Sequence, residues 1–466
     1  MTNPPFLDQL DAILGQIAGA LWSTPFALTL LLCGVVLTIA LGFPQIWGFK
    51  HAIKVITGKY DRKGDPGEIS HFQALCTALS ATVGLGNIAG VAIAIHMGGP
   101  GATFWMIVCG LIGMATKYSE CSLALMFRKV DKKGVVHGGP MYYIENGPEN
   151  ASASAKKHFW KPMACFFAIA CIFSSFGAAN MFQTNQVAMI MKSSFNISPI
   201  VTGLVIAVLT AIVIIGGIKR IASVTSYLVP VMGLIYVGGA LTVLAFELDR
   251  LPQLFSNIFE GAFSGLAATG GVAGYAIKEA FVTGVRRACF SNEAGLGSAA
   301  IAHSAAATKE PVREGVVALL EPFIDTVIIC TITALVVGAS GLYHEDMSGV
   351  QLTASAFDVG IPGFGTYFIP VAVLLFAYST LISWSYYGER AIDYLFGEKG
   401  LMPYRIAYCI FAFIGAIWAI GPVLNFSDIM LALMAVPNLI GVLILLPLLR
   451  KSTAEYRKKL KANKFD

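Results

Sequence analysis

The chain has 466 residues, of which 56% are hydrophobic and 13% charged, with a formal net charge of +5. A soluble domain carries roughly 25% charged residues, so this composition excludes an ordinary soluble enzyme, a disordered chain and a nucleic-acid binder. The nine cysteines are scattered without a C-x-x-C pair, mostly in apolar runs. They read as small core residues, not as a disulfide frame or a zinc site.

Met1–Trp22 carries no Lys or Arg and so lacks the basic start of a signal peptide. Leu7, Leu10, Leu14, Ile17 and Leu21 recur at helical spacing, with Asp8 and Asp11 between them. This predicts an amphipathic helix over 1–24, lying on the outer surface. Next come charge-free runs, among them Ala12–Phe49, Ile69–Thr116, Pro162–Met191, Ile221–Phe246 and Ile429–Leu449. About 20 apolar residues cross a bilayer core. Divided at that length, the runs predict eleven spans, centred near Leu32, Leu85, Gly110, Ile172, Val208, Leu234, Gly270, Val327, Phe376, Phe413 and Leu439. The segments Lys50–Lys63, Arg128–Lys161, Lys219–Arg220, Arg286–Arg313, Arg390–Arg405 and Arg450–Lys464 hold 28 of the 32 basic residues, and each lies between alternate spans or after the last. Basic loops stay on the cytoplasmic side. The expected orientation is therefore amino terminus outside and carboxyl terminus inside, in the plasma (inner) membrane.

Glycine placement carries the functional signal. Span 2 reads Ala81-Thr-Val-Gly84-Leu-Gly86-Asn87-Ile-Ala-Gly90, and span 7 reads Ala268-Thr269-Gly270-Gly271-Val-Ala-Gly274. Each has paired glycines near the middle of a membrane helix, where glycine costs about 1 kcal/mol against alanine. Non-helical backbone at that depth survives only where it lines a cavity or is buried by protein. Five spans start at each break, 71–246 and 261–449, after an extra first span at 25–49 and before a basic tail at 450–466. Because five is odd, the two sets are inverted relative to each other, the arrangement of a secondary transporter's binding site. Gly84-x-Gly86-x-x-Ala89 also matches a dinucleotide-binding pattern. That motif needs a strand before it and an acidic residue about 20 residues on. Here it lies in a charge-free run of membrane length, and the next acidic residue is Glu120.

The stretches Thr82–Val91 (TVGLGNIAGV), Gly98–Trp105 (GGPGATFW), Thr116–Glu120 (TKYSE), Gly138–Ile144 (GGPMYYI), Ser291–Ala299 (SNEAGLGSA) and Ser383–Glu389 (SWSYYGE) resemble the alanine/glycine:cation symporters, also called sodium:alanine symporters. The resemblance implies an all-α integral membrane protein. Its fold would be leucine-transporter-like, a 5+5 inverted repeat with one extra amino-terminal span. It implies Na⁺ as the co-transported ion, a small neutral amino acid as substrate, and no organic cofactor.

The residues can be read against that expectation. The second half of span 2 begins near Gly84, Gly86 and Asn87, and its free N–H groups and positive dipole end suit the substrate carboxylate. The first half ends at Ala81 and Val83, whose free carbonyls suit Na⁺. Carbonyls around Ala268 and Thr269, beside Gly270 and Gly271, are placed to receive the ammonium. Hard cations take oxygen ligands, and the resemblance carries a sodium-ligand role to Thr380, with Ser379 second. Trp384, one turn on, is expected to wall the pocket, with Phe176 helping to set its size. Asn180 and Gln183 share a face at i,i+3 and are substrate or gate candidates. Lys117 and Glu120, also i,i+3, are expected to pair. Glu321 and Asp325 share a face of span 8 and are candidates for a proton relay. Neither broken span nor span 9 has a central carboxylate, which favours Na⁺ over H⁺. Ser291–Ala299 is placed in a cytoplasmic loop as an inner gate.

The reading is Na⁺-coupled symport of alanine or glycine into the cell by alternating access. Coupling to H⁺, or selectivity for serine or glutamine, is the alternative. A channel would show rings of charge or a continuous polar pore. A membrane enzyme would show a motif such as H-E-x-x-H or G-x-S-x-G. The sequence has neither motif. The expected partners are the amino acid, Na⁺ and the lipid bilayer.

Overall fold

The computed structural model describes residues 5–62, 64–148, 151–263, 271–347, 349–418 and 420–462. The chain is helical almost throughout, with one two-stranded antiparallel ribbon pairing Lys129–Val130 with Val136–His137. Helix α1 (Pro5–Leu21) bends by 45° into α2 (Thr24–Ala40), and α3 (Pro44–Ile56) follows. Helix α4 (His71–Thr82) starts at a reciprocal cap. Ser70 Oγ accepts from Gln73 N, and Ser70 N donates to Gln73 Oε1, which satisfies two of the donors that a helix start leaves open. The chain then unwinds, makes a wide π turn at Gly86–Gly90 and continues as α5 (Val91–Gly98), bent 50° from α4.

Helix α6 (Gly101–Phe127) is at the centre, buried without interruption from Gly113 to Leu125. Helices α7 (Lys161–Phe176) and α8 (Phe182–Phe195) are joined by a π turn at Gly177–Met181. They are followed by α9 (Pro199–Ile214), α10 (Gly217–Phe246), α11 (Gly271–Asn292) and α12 (Pro311–Ala318). A π segment at Phe323–Cys330 leads to α13 (Thr331–Ser340) and then α14 (Gly349–Gly360). The chain ends with α15 (Phe364–Phe396), α16 (Leu401–Ile417), α17 (Ile420–Ile444) and α18 (Leu446–Lys461). Close packing of α11 on α5 and α6 rests on small residues. A Cβ at Gly284 would lie 2.6 Å from Ala102 O, and one at Gly98 would lie 3.1 Å from Ala280 Cα. Small residues let membrane helices approach this closely.

Six helices among the described residues are long and apolar enough to cross a membrane, or eight if each of two bent pairs is one span. Of the eleven expected span centres, nine lie inside helical segments, Leu85 lies in the α4–α5 break, and Gly270 lies outside the described residues. The outward faces of α9 and α10 are strongly apolar, with Ile200, Leu204 and Val208 more than half exposed and Leu234 75% exposed. An exposed apolar surface of this kind is a lipid or protein contact, not a solvated face. Helix α1 packs on α17, and Asn425 Nδ2 donates to Asp11 Oδ1 at 2.8 Å.

Candidate functional site

The α4–α5 break is held open by specific contacts. Leu85 N donates to Gln183 Oε1 at 3.2 Å, and Asn87 N donates to Gly84 O at 3.2 Å. These two N–H groups are the i+4 donors that an unbroken helix would supply to the carbonyls of Ala81 and Val83. Both expected sodium-ligand carbonyls thus lose their helical partner. Helix α15 lies against this end of α4. Thr380 Oγ1 donates to Ser80 O at 3.1 Å, Ser379 Oγ to the same oxygen at 3.3 Å, and Ser80 Oγ to Ser379 O at 2.7 Å. Ser379 and Thr380 are thereby held against the carboxyl-terminal end of α4. Gly84 is required there, because a Cβ would collide with Thr380 Oγ1. Gly86 faces the end of α11, where a Cβ would lie 3.0 Å from Ser291 Cα.

Beside the break is a small interior cavity. Its walls include Ala81, Thr82 and Gly86 from the break, Gln183 from α8, Phe290 and Glu293 from the end of α11, and Thr380 and Trp384 from α15. It offers about 10 Å³ to the centre of a water-sized sphere, room for about one water. Side chains must move before an amino acid fits. Of the expected residues, Ala81, Gly86, Gln183, Thr380 and Trp384 share this cavity. Gly84, with its amide on Asn87 Oδ1 at 2.8 Å, borders the break. Thr269 and Gly270, with Ala268, lie outside the described residues, and Gly271 is the first residue of α11.

Two candidates point elsewhere. Asn180 Nδ2 donates to Tyr408 O at 2.7 Å on α16, while Gln183 reaches the break. The π turn at Gly177–Met181 breaks the i,i+3 register that placed them on one face. Phe176 packs among Tyr404, Tyr408 and Phe411. The aromatic walls are Trp384 and, in place of Phe176, Phe290, which is braced edge-on by Phe182 at 5.2 Å.

Two buried carboxylates from outside the broken spans and span 9 stand close to the break. Asp325, fully buried in the Phe323–Cys330 segment, accepts from Asn87 Nδ2 at 2.6 Å and from Ser291 Oγ at 2.9 Å. Its neighbour Thr326 donates to it at 2.7 Å. Its hydrogen-bond partners among the described residues are all neutral. Asn87 is spent on this contact and does not line the cavity. Glu293, also buried, accepts from the Trp384 indole at 2.6 Å and from Ser298 Oγ. Glu293 has φ +57°, and Gly295 and Gly297 follow at +90° and +77°. A left-handed non-glycine residue costs about 1–3 kcal/mol and persists only when its surroundings hold it. The signal that pointed to Glu293 was its place in SNEAGLGSA. That segment is buried throughout, not a solvated loop. It ties Ser291 to Asp325, Asn292 to Thr326 and Gly295 O to Asn438 of α17.

Charged groups near one end of α6 form a second buried cluster. Lys117 pairs with Glu321 at 3.0 Å, not with Glu120, whose partner is Asn438 at 2.6 Å. His303 lies 2.6 Å from Glu314 and 3.7 Å from Glu321, and His71 also binds Glu314. Glu321 thus diverges from Asp325 and belongs to this network. Arg286 and Arg287, expected in a cytoplasmic loop, are inside α11, and both contact Asp428 of α17.

A helix broken beside a small cavity lined by both polar and apolar side chains, inside an apolar helical bundle, is the architecture of a multi-pass membrane transporter. A model of the sodium:alanine symporter family matches residues 7–466. The sodium/alanine symporter AgcS of Methanococcus maripaludis is 44% identical over 440 residues, covering 93% of this chain and 94% of AgcS. The probable sodium/glutamine symporter GlnT of Bacillus subtilis is 34% identical over 459 residues, covering 98% of this chain and 92% of GlnT. Among solved structures, MhsT in complex with L-phenylalanine matches with a TM-score of 0.51 at 14% identity, over 82% of this chain and 99% of MhsT. At that identity the likeness concerns the fold alone. The chain belongs to the sodium:alanine symporter family. The named relatives in it are transporters and carriers, and this chain is a membrane transporter, not an enzyme.

Proposed function

We propose that this transporter carries a small neutral amino acid, alanine or glycine, into the cell together with Na⁺ by alternating access. The observation that carries the reading is the α4–α5 break. It exposes the Ala81 and Val83 carbonyls beside Thr380 and Ser379, next to a cavity walled by Gly86, Gln183 and Trp384. Sodium would sit among those carbonyls and hydroxyls, and the substrate would fill the cavity once its walls part. The proposal includes eleven spans in a 5+5 inverted repeat, with residues 71–246 and 261–449 as the two halves, and the inner membrane as location. The amino terminus faces outward and the basic tail inward. One Na⁺ entering with a zwitterion moves one net charge, worth about 2.3 kcal/mol at 100 mV, or roughly fifty-fold accumulation.

Asp325 favours a second reading. A buried carboxylate with neutral partners is costly when charged, and it lies directly behind the break through Asn87. A proton, or a second cation, would relieve that cost. Uptake of labelled alanine and glutamine into proteoliposomes, driven in turn by Na⁺, K⁺ and proton gradients, separates the readings. Alanine uptake with the Na⁺ gradient alone supports the first. Equal uptake under all three gradients overturns the sodium proposal.

A further inference from the structure

The final helix carries a feature that amino-acid transport leaves unused. Helix α18 turns Leu449, Thr453 and Tyr456 inward. Thr453 Oγ1 lies 2.7 Å from Tyr118 Oη, and Tyr456 Oη lies 2.7 Å from His51 Nε2. These contacts fix the rotation of α18 and leave Arg450 and Lys451 exposed. Two other basic residues of the helix are engaged. Lys459 pairs with Glu310 at 2.6 Å, and the Arg457 guanidinium lies 5.2 Å from the Trp47 ring centre.

Arg450 and Lys451 form one lip of a groove of about 600 Å³ where α17 meets α18. Its walls are apolar, from Ala40 at the end of α2 and from Leu443, Leu446 and Pro447 at the α17–α18 junction. The groove thus spans the level at which a membrane helix gives way to a basic, water-facing one. A soluble anion would leave the apolar walls bare, and a neutral hydrocarbon would leave the two cations bare. One chemistry satisfies both.

We propose that this groove binds an anionic phospholipid, with its phosphate on Arg450 and Lys451 and an acyl chain along Leu443, Leu446 and Ala40. The site is distinct from the transport cavity. Only its assignment to the cytoplasmic leaflet rests on the orientation proposed above. Each Lys or Arg near an anionic lipid surface strengthens binding by about five-fold, so the pair is expected to contribute roughly thirty-fold.

The test uses the full-length protein purified in neutral detergent. Retention of phosphatidylglycerol, and of phosphatidylcholine with identical acyl chains, is measured by native mass spectrometry. Phosphatidylglycerol should be retained and phosphatidylcholine should not. Arg450→Gln with Lys451→Gln should weaken phosphatidylglycerol retention by roughly thirty-fold. Lys458→Gln, which changes an exposed cation on the same helix outside the groove, should leave it unchanged. Ala454→Trp, which fills the groove without altering charge, should reduce retention as well and serves if the double variant does not fold. Equal retention of the two lipids, or an equal loss in Lys458→Gln, would overturn the proposal. So would displacement of the lipid by millimolar inorganic phosphate, which would mark a site for free anions. None of these readouts requires transport, so failure here leaves the symport proposal standing.

Discussion

Trp384 of α15 donates its indole N–H to the Glu293 carboxylate at 2.6 Å, and both side chains border the central cavity. The bond links a wall of the proposed substrate site to the buried Ser291–Ala299 turn. Glu293→Ala should release Trp384 and raise the KM for alanine at least about ten-fold, a loss of about 1.4 kcal/mol, just under the range of about 1.5–3 kcal/mol for a hydrogen bond to a charged group. Glu293→Gln keeps an acceptor for the indole and should retain most of the affinity. Uptake kinetics with tryptophan fluorescence check both. Equal behaviour of the two variants would show that charge, not the indole contact, matters.

Gly84 and Gly90 stand six residues apart but in different environments. A Cβ at Gly84 meets the Thr380 hydroxyl, whereas one at Gly90 finds its nearest neighbour, Leu85 O, at 3.8 Å. Gly84→Ala should lower alanine uptake at least about ten-fold in a protein that still reaches the membrane. Gly90→Ala should stay within about two-fold of wild type. Loss of uptake in both would mean that backbone freedom, not the approach of α15, sets the requirement.

Thr380→Ala removes a proposed sodium ligand and a bond to Ser80 O. The Na⁺ concentration for half-maximal uptake is expected to rise several-fold, as for loss of one hydroxyl contact. The melting temperature should change little. An unaltered Na⁺ dependence would place the ion elsewhere, with Asp325 the next position to test.

The Lys117–Glu321 pair is fully buried. Lys117→Met leaves Glu321 without its ammonium partner and should cost about 3–5 kcal/mol. Adding Glu321→Leu should recover a large part of that loss, because the stranded charge is gone. Thermal unfolding in detergent reads both. A double variant as unstable as the sum of the singles would show that the two residues act independently.

His137, in the ribbon outside the spans, has its pKa raised above the ordinary value, first by its 2.9 Å hydrogen bond to Asp393. The charged form is therefore favoured in the folded state. Its stabilisation is complete below the unfolded value of about 6.5 and fades as pH rises through the raised folded value. Hydrogen exchange in residues 129–137 should accelerate over that interval, and the step should disappear in His137→Gln. A step of unchanged size in the variant would assign it to another group.

Much of the architecture is legible along the chain because the controlling physics is local. Hydropathy over a helix length marks the membrane segments. The glycines from Gly84 to Gly90 mark a break because they weaken a helix wherever they occur. Thr380 and Trp384 fall on one face because four residues make about one turn. Packing between distant segments decided the rest. Lys117 chose Glu321, 204 residues away, over Glu120 one turn along. A π turn separated Asn180 from Gln183, and helical spacing contains no sign of it. Glu293 and Asp325 reached the site from segments far from α4 in sequence. A buried polar group must be satisfied by whatever neighbour folding supplies, and that neighbour is a property of the assembled bundle, not of any stretch of the chain.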